Sequence, residues 1–427
     1  MKIILVLLDG VGDRSYDALN HQTPLQAAQT PYLERLAAMG GNGMFHASFP
    51  GECLPSEMAH FLMFGYDRRD FPGRGLLEAV GDGVPFEDPD VLALAHFAKV
   101  RSGTAGFLLD QGRDKIPGTK ARLKPLYDAV AAYETGGVRF FLHQTRRNDG
   151  IIVMRGDVSP DISDSDPITK GKPVGKILPL AGSLEPERAR RTAEALNQYL
   201  RYCRRTLTAS AKLAKKADVL LTQRCGRRRV LPSFKQLWGL RPLMIASASI
   251  YEGLAHELGF DFIKDRDGRD PGRDLRRRIR LALNDPDHDF FHVHTKVPDE
   301  VSHKGTPVLK KKALEALDGG FRDLVKAVER NSDVLAIVTG DHSTPSESTL
   351  VHSGETVPVI MAGPRIRRDR VEAFDEVSAA GGCLGLLRGR ELMFMALNFS
   401  ERSVLVSHQL GDAVTPFIPE DYPPFAF

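Results

Sequence analysis

The chain has 427 residues, about three times the length of a typical domain, so we expect two domains or one domain with a large insertion. Its 58 Lys and Arg residues against 55 Asp and Glu residues give a net charge of +3, which is too small to argue for a nucleic-acid partner. The 4 cysteines show no CxxC spacing, which argues against a disulfide framework or a zinc knuckle and fits a reducing compartment.

The first apolar run, residues 3–8, is too short for a membrane span and lacks the small-residue cleavage site of a signal peptide. No other segment approaches the roughly 18 consecutive apolar residues that a span requires. We therefore expect a cytoplasmic protein with no membrane partner and no nucleic-acid partner. The sequence predicts no particular oligomeric state.

Residues 3–8 instead predict a β-strand that is buried on both faces, because apolar and polar residues do not alternate in this run. A helix opened by Pro31 and closed by Gly40 follows. Later in the chain the sequence predicts two long helices, at 186–202 and 310–328, and buried strands at 289–294, 335–339 and 357–361. Alternating strands and helices predict an α/β fold, with a mostly parallel sheet flanked by helices.

The middle of the chain has a different pattern. Short strands are expected at 139–143 and 150–155, separated by polar turns such as 163–167. Residues of the types that bind metals stop before this stretch and resume after it. We therefore predict a discontinuous core, residues 1–86 and 210–427, with a smaller α/β domain inserted at 87–209.

Acidic and imidazole side chains collect at the ends of the predicted strands. Asp9 ends the first strand, and Asp341 and His342 follow the strand at 335–339, with His352 ten residues later. Asp299 and His303 are four residues apart, so on a helix they share one face. A D-x-x-x-H pair also occurs by chance on many surfaces, but buried charges require a partner or a metal.

Together these three carboxylates and three imidazoles suit two divalent ions, Mn²⁺ or Zn²⁺, because both ions accept mixed oxygen and nitrogen ligands. Two such ions can stabilise the attacking and leaving oxygens of a phosphoryl displacement. A Gly-x-Gly after the first strand might instead suggest a dinucleotide site. The third glycine of that motif is absent, and Asp13 lies where a pyrophosphate would bind, so we reject this interpretation.

Ser56 is the predicted nucleophile. It opens a helical run at 58–64, and a helix N-terminus offers N–H groups and a favourable dipole to a phosphate. A serine that contacts a metal loses its proton more easily than a serine in water. A simple N-cap role for Ser56 is the alternative.

The order of motifs resembles the archaeal-type cofactor-independent, or 2,3-bisphosphoglycerate-independent, phosphoglycerate mutases of the alkaline-phosphatase superfamily. The motifs that carry this resemblance are LDGVGDR (8–14), TPLQAAQTPYLERLA (23–37), PGECLPSEMAH (50–60), GYD (65–67), GRGLLEA (73–79), ISDSDP (162–167), PSF (232–234), PDEVSH (298–303), TGDHSTP (339–345), HSGETVPV (352–359) and GGCLGLLRGRELM (381–393). The resemblance covers nearly the whole chain, and its metal-site motifs are specific in combination.

The resemblance implies an alkaline-phosphatase-like core and a glycolytic isomerase that transfers a phosphoryl group through a phosphoserine. One metal would be bound by Asp9, Ser56, Asp341 and His342, and the other by Asp299, His303 and His352. Ser56 would take the phosphoryl group and return it to the neighbouring hydroxyl of the retained glycerate. The inserted domain would close over the substrate and exclude water.

Substrate contacts are expected mainly from arginines, since Arg pairs well with phosphate and carboxylate, and one acidic residue, Asp114, is added to them. The predicted set consists of Arg113, Asp114, Arg146, Arg147, Arg155 and Arg241, with Arg113 and Arg241 also predicted to be catalytic. Four departures from the family pattern fall on substrate-contacting elements, such as 110–114 and Arg241, where the family has a lysine. None falls on a metal ligand.

These departures leave three functional hypotheses. The leading one is interconversion of 2- and 3-phosphoglycerate. The second is a phosphatase, phosphodiesterase or sulfatase, or a mutase of another phosphoester or phosphonate acid, on the same two-metal core. The third is a binding or scaffold protein that keeps a metal site but does not turn over substrate.

Overall fold

The structure is a computed structural model that describes residues 1–104, 106–331 and 333–426. The chain divides into two compact units. Unit 1 comprises Met1–Phe71 and Leu231–Phe427, and unit 2 comprises Pro72–Val230. No helix in the described part of the chain combines the length and apolar character needed to cross a membrane.

The strands of the described residues are, in chain order, β1 (Lys2–Leu8), β2 (Gly41–His46), β3 (Val91–Gly103), β4 (Gly106–Gln111), β5 (Ala132–Thr135), β6 (Val138–Gln144), β7 (Gly150–Arg155), β8 (Val219–Gly226), β9 (Pro242–Ala246), β10 (Asp261–Lys264), β11 (Phe290–Thr295), β12 (Val334–Thr339), β13 (Val357–Ala362) and β14 (Gly385–Arg388). The helices are α1 (Pro24–Ala27), α2 (Pro31–Met39), α3 (Ser56–Met63), α4 (Arg74–Gly81), α5 (Lys120–Ala129), α6 (Pro186–Ala209), α7 (Ala211–Ala214), α8 (Phe234–Trp238), α9 (Ser249–Leu258), α10 (Pro271–Asn284), α11 (Val297–Lys304), α12 (Pro307–Asp318), α13 (Arg322–Glu329) and α14 (Glu391–Phe399).

Unit 1 is built on an eight-stranded sheet with the order β10-β9-β11-β1-β12-β13-β2-β14. β1 lies between β11 and β12 and is parallel to both. Residues 3–8 of β1 are fully buried, which confirms the expected strand with two covered faces. The sheet is mostly parallel, as predicted, since only β13 runs against its neighbours β12 and β2.

One predicted helix of unit 1 is interrupted. The sequence predicts a continuous helix at 310–328, whereas the structure has α12, a 3₁₀ turn at Gly319–Phe321, and then α13. Gly319 and Gly320 explain the interruption, because glycine is the poorest helix former after proline.

Unit 2 contains a second sheet in which every strand pair is antiparallel, with the order β4-β3-β7-β6-β5 and with β8 paired to β3. Its boundaries lie outside the expected 87–209. β8 adds a strand beside β3, and Gly75 at the start of α4 approaches the backbone of Leu92 in β3 closely. Both α4 and β8 therefore belong to unit 2, although the sequence analysis assigned them to the core.

Candidate metal centre and nucleophile

The predicted metal ligands come together at the carboxyl edge of the unit 1 sheet. Asp9 directly follows β1, and Asp341 and His342 follow the neighbouring strand β12. Asp299 and His303 lie on α11, which begins immediately after β11. Because β11, β1 and β12 are adjacent and parallel, their carboxyl ends bring these side chains to one place.

The first group of ligand atoms belongs to Asp9, Asp341 and His342, which offer atoms within 4.8 Å of one another. The Nε2 atom of His342 lies 3.2 Å from Asp341 Oδ2 and 3.5 Å from Asp9 Oδ1. The hydroxyl of Ser56, the first residue of α3, lies 3.0 Å from His342 Nε2 and 3.4 Å from Asp9 Oδ1. The nucleophile predicted from sequence therefore contacts the first group.

The second group consists of Asp299, His342 and His352, whose ligand atoms also lie within 4.8 Å of one another. His303 Nε2 is 3.1 Å from Asp299 Oδ1, and His352 Nε2 is 3.5 Å from the same oxygen. The rings of His342 and His352 stack with their centroids 3.8 Å apart. His342 therefore lies between the two groups, although the sequence analysis assigned it to the first alone.

The charges of the site fit divalent cations. Burial alone would raise the pKa of Asp9, but the hydrogen bond from His294 and the nearby His342 lower it below its usual range. Burial likewise opposes ionisation of Asp299, while hydrogen bonds from His303 and His352 lower its pKa. Both carboxylates are therefore ionised at neutral pH, and such buried charge requires compensation.

Two further observations support the binding of divalent cations at this site. Asp341 Oδ2 is buried and, although His342 Nε2 lies 3.2 Å away, accepts no well-directed hydrogen bond from the described residues. Burial alone would lower the pKa of His342, but Asp341, Asp9 and Asp299 outweigh it and raise the pKa to about 9. Since a ligand imidazole must lose its proton, a cation at His342 competes with that proton. The residues present match the oxygen and nitrogen ligands that Mn²⁺ and Zn²⁺ accept.

Two buried features hold the loops of the site together. Gly10 has a φ of +65°, and a Cβ there would lie 2.5 Å from Thr344 Oγ1 and 2.9 Å from Asp299 Cβ, so only glycine allows this close approach. The ammonium group of Lys310 donates to the carbonyls of Gly10, Gly12 and Thr344 at 2.8–2.9 Å. The same ammonium lies 3.2 Å from Asp13. Lys310 thereby joins the loop after β1 to the loop after β12.

Sequence reasoning missed several side chains around the ligands. Thr344 Oγ1 donates to Asp299 Oδ1 at 2.9 Å, and His60 Nδ1 lies 2.7 Å from the Ser56 carbonyl oxygen, to which it donates. Tyr251 and His294 both contact Asp9 Oδ2. The sequence could have indicated His60 as a neighbour of Ser56, because it follows Ser56 by four residues and so lies on the same helical face. Tyr251 carried none, because it lies within an ordinary apolar helix pattern.

The structure does not bring Arg241 to this site, and this corrects its predicted catalytic and substrate-binding roles. Arg241 precedes β9, which is parallel to β11, so it lies at the amino edge of the sheet. Its backbone N–H donates to Asp289 at 2.7 Å, and its guanidinium lies 3.6 Å from the same carboxylate. At about 3.3 Å per residue, the length of a strand separates Arg241 from Asp9.

Within unit 2, four of the five predicted substrate residues are neighbours. Arg147 donates to the Arg113 carbonyl at 3.0 Å, and Arg113 lies 3.4 Å from Asp114. Arg146, beside Arg147 in the turn between β6 and β7, pairs with Glu78 at 3.1 Å. The roles of these four residues stay predictions. The buried side chains of His96 and Asp166 lie 3.6 Å apart in the same unit.

Arg155, the fifth predicted substrate residue of this unit, lies apart from the other four. It ends β7, whereas Arg146 and Arg147 precede that strand, so the strand separates them. The Arg155 guanidinium instead binds Asp90 through two of its nitrogens, at 2.7 and 3.0 Å, and Glu87 at 2.8 Å. Its donors are thus already occupied by carboxylates.

Known proteins that resemble this chain identify its family. A family model described as the Metalloenzyme superfamily matches residues 1–399. The 2,3-bisphosphoglycerate-independent phosphoglycerate mutase 2 of Methanocaldococcus jannaschii is 37% identical, covering 99% of this chain and 98% of the relative. The 2,3-bisphosphoglycerate-independent phosphoglycerate mutase of Methanopyrus kandleri is 32% identical, covering 94% of this chain and 97% of the relative.

Solved structures show the same likeness. The PH0037 protein from Pyrococcus horikoshii superposes with a TM-score of 0.73 at 25% identity, covering 95% of this chain and 98% of that one. The cofactor-independent phosphoglycerate mutase from Thermoplasma acidophilum gives a TM-score of 0.62 at 28% identity, covering 94% of this chain and all of that one, 100%. The chain belongs to the Metalloenzyme superfamily and, within it, to the family of 2,3-bisphosphoglycerate-independent phosphoglycerate mutases.

Proposed function

We propose that this chain is a metal-dependent phosphomutase that interconverts 2- and 3-phosphoglycerate through a phosphoserine at Ser56. The observation that carries the proposal is the position of the Ser56 hydroxyl, 3.0 Å from His342 Nε2 and 3.4 Å from Asp9 Oδ1, within the ligand set. We take the substrate from the names of the relatives, which are phosphoglycerate mutases. The expected cytoplasmic location is part of the proposal.

Two divalent ions are part of this proposal, Mn²⁺ or Zn²⁺, and when bound they supply positive charge that favours ionised Ser56 and stabilises the phosphoryl oxygens. Asp9, Asp341, His342 and Ser56 would hold one ion. Asp299, His303 and His352 would hold the other, with His342 between the two groups. His60 holds the Ser56 carbonyl and so fixes the first turn of α3.

In the proposed reaction the Ser56 oxygen attacks phosphorus, and the bond from phosphorus to the substrate's C3 oxygen breaks. The C3 oxygen takes up a proton. The C2 hydroxyl of the same glycerate then loses a proton as its oxygen attacks phosphorus, and the bond from phosphorus to the Ser56 oxygen breaks, which returns Ser56 to its ionised form. The N-terminus of α3 favours the negative charge of the phosphoryl group at Ser56. Arg113, Asp114, Arg146 and Arg147 stay the predicted substrate contacts.

Hydrolysis is the alternative outcome on the same residues, because water can replace the C2 hydroxyl in the second step. The two outcomes separate in one assay, in which protein loaded with Mn²⁺ is incubated with 3-phosphoglycerate and followed by phosphorus NMR. We expect 2-phosphoglycerate to accumulate to equilibrium with little inorganic phosphate. Release of phosphate without isomer would instead identify a phosphatase, and turnover only of other phosphorylated or phosphonate acids would identify a different substrate.

The position of Arg241 gives a sharp prediction. Arg241→Ala should leave kcat/KM for 3-phosphoglycerate within about twofold of the parent, because the residue lies at the amino edge of the sheet, a strand length from Asp9, and its side chain is 53% exposed. Arg113→Ala is the matched comparison and should lower kcat/KM. A loss in Arg241→Ala as large as that in Arg113→Ala would restore the role predicted from sequence.

A further inference from the structure

The two carboxylate oxygens of Asp9 have different surroundings. Oδ1 faces the reacting groups, with Ser56 Oγ at 3.4 Å and His342 Nε2 at 3.5 Å. Oδ2 faces away from them and accepts hydrogen bonds from the Tyr251 hydroxyl at 2.8 Å and from His294 Nε2 at 3.1 Å. The Asp9 carboxylate lies in the core, since Asp9 is 0% exposed.

Tyr251 is held rigidly in this position. It lies on α9 and is 1% exposed, and its ring packs against the rings of His294 and His60 with centroids 4.0 and 5.0 Å away. The Tyr251 hydroxyl donates to Asp9 Oδ2 from this packed position.

His294 supplies the second donor. It lies in β11 opposite Leu7 of β1, and its carbonyl accepts from buried Arg278 at 2.7 Å. Its Nδ1 atom has no hydrogen-bond partner among the described residues, which assigns the ring proton to Nε2, the atom that contacts Asp9. A carboxylate oxygen has about two lone-pair sites, so Tyr251 and His294 together fill those of Oδ2.

We propose that Tyr251 is a positioning residue that fixes the Asp9 carboxylate so that a divalent cation meets it through Oδ1 alone, beside Ser56. The inference rests on the proposed function, since it concerns the cation held by Asp9, Asp341 and His342. Partners behind a metal ligand orient it, and their removal weakens metal binding by roughly 10–100-fold. Among the described residues, Tyr251 makes no hydrogen bond to Asp299 or His352, on which the second group is built.

A role in core packing alone is the competing explanation, and the hydroxyl separates the two. Tyr251→Phe keeps the ring between His294 and His60 and removes only the donor. Tyr66→Phe is the matched control, because Tyr66 is also buried, 6% exposed, and its hydroxyl donates to the Pro232 carbonyl at 3.0 Å. Both variants lose one buried tyrosine hydroxyl, but only Tyr251 contacts Asp9.

The experiment is a calorimetric Mn²⁺ titration of the full metal-free chain and of both variants. We expect two binding events in the parent and in Tyr66→Phe, and in Tyr251→Phe a loss of roughly 10–100-fold in the affinity of one event with the other unchanged. The visible spectrum of the Co²⁺-loaded protein should change for the same single event. Equal affinities in Tyr251→Phe and the parent would overturn this inference and leave the proposed function intact.

Two other results bear on it. If Tyr251→Phe weakens both events and lowers the melting temperature of the metal-free protein more than Tyr66→Phe does, the residue is structural and the inference is overturned. If the parent itself fails to bind two Mn²⁺ ions, the proposed function falls, and this inference falls with it.

Discussion

Ser56→Ala should lower the rate of isomerisation by on the order of 10⁴–10⁶-fold, the range seen when a covalent nucleophile is removed. Ser56 Oγ is the hydroxyl that contacts both His342 and Asp9, so its removal leaves no oxygen to carry the phosphoryl group. The assay is conversion of 3-phosphoglycerate in the presence of Mn²⁺. Trapped phosphoserine should be found by mass spectrometry in the parent peptide that contains Ser56 and be absent from the variant.

Ser400→Ala is the control for this prediction, because Ser400 is a buried serine outside the site whose hydroxyl donates to the Leu397 carbonyl at the end of α14. It should retain the parent's activity. Mn²⁺ should still bind to Ser56→Ala, since the carboxylates and imidazoles remain. Activity in Ser56→Ala above roughly 1% of the parent, far outside the range for a lost nucleophile, would rule out the covalent route.

Lys310→Met should destabilise unit 1 by roughly 3–5 kcal/mol, the cost of removing one partner of a buried ion pair. The fully buried ammonium donates to three carbonyls and lies 3.2 Å from Asp13, so the variant leaves all four acceptors without this donor. Burial lowers the pKa of Lys310, whereas Asp13 opposes that shift and favours the charged form.

Differential scanning calorimetry should show this as a drop of several degrees in the melting temperature of the metal-free protein. Hydrogen exchange should quicken in the loops at 9–13 and 341–346, which Lys310 joins. Lys311→Met is the control, since the neighbouring Lys311 pairs with Glu315 four residues on, and its replacement should cost less than about 0.5 kcal/mol. Equal effects in the two variants would show that Lys310 does not join the loops.

The proximity of Asp9 and Asp341 could be predicted from the sequence because each of these residues follows a strong local signal. Asp9 ends a fully apolar run, and Asp341 follows another, so strand polarity alone places both at one edge of the sheet. The same rule explains the error at Arg241. Arg241 comes before its strand rather than after it, and a parallel strand therefore carries it to the opposite edge.

The residues that the sequence did not reveal depend on contacts between distant segments. Tyr251 and Lys310 lie in helices whose patterns are those of ordinary amphipathic elements, and only the packing of α9 and α12 against the loop of Asp9 makes them partners of the site. The predicted unit boundaries were wrong for the same reason, because β8 pairs with β3, which lies much earlier in the chain. A local sequence pattern does not indicate which distant segments pair with each other.

Two divalent cations should bind beside the Ser56 oxygen, held by Asp9, Ser56, Asp299, His303, Asp341, His342 and His352. Anomalous scattering from crystals grown with Mn²⁺ would locate these cations. We expect two peaks, one in contact with Asp9 and Asp341 and the other in contact with Asp299 and His352. A single peak, or peaks away from Ser56 and these carboxylates, would show that the proposed two-cation site is wrong.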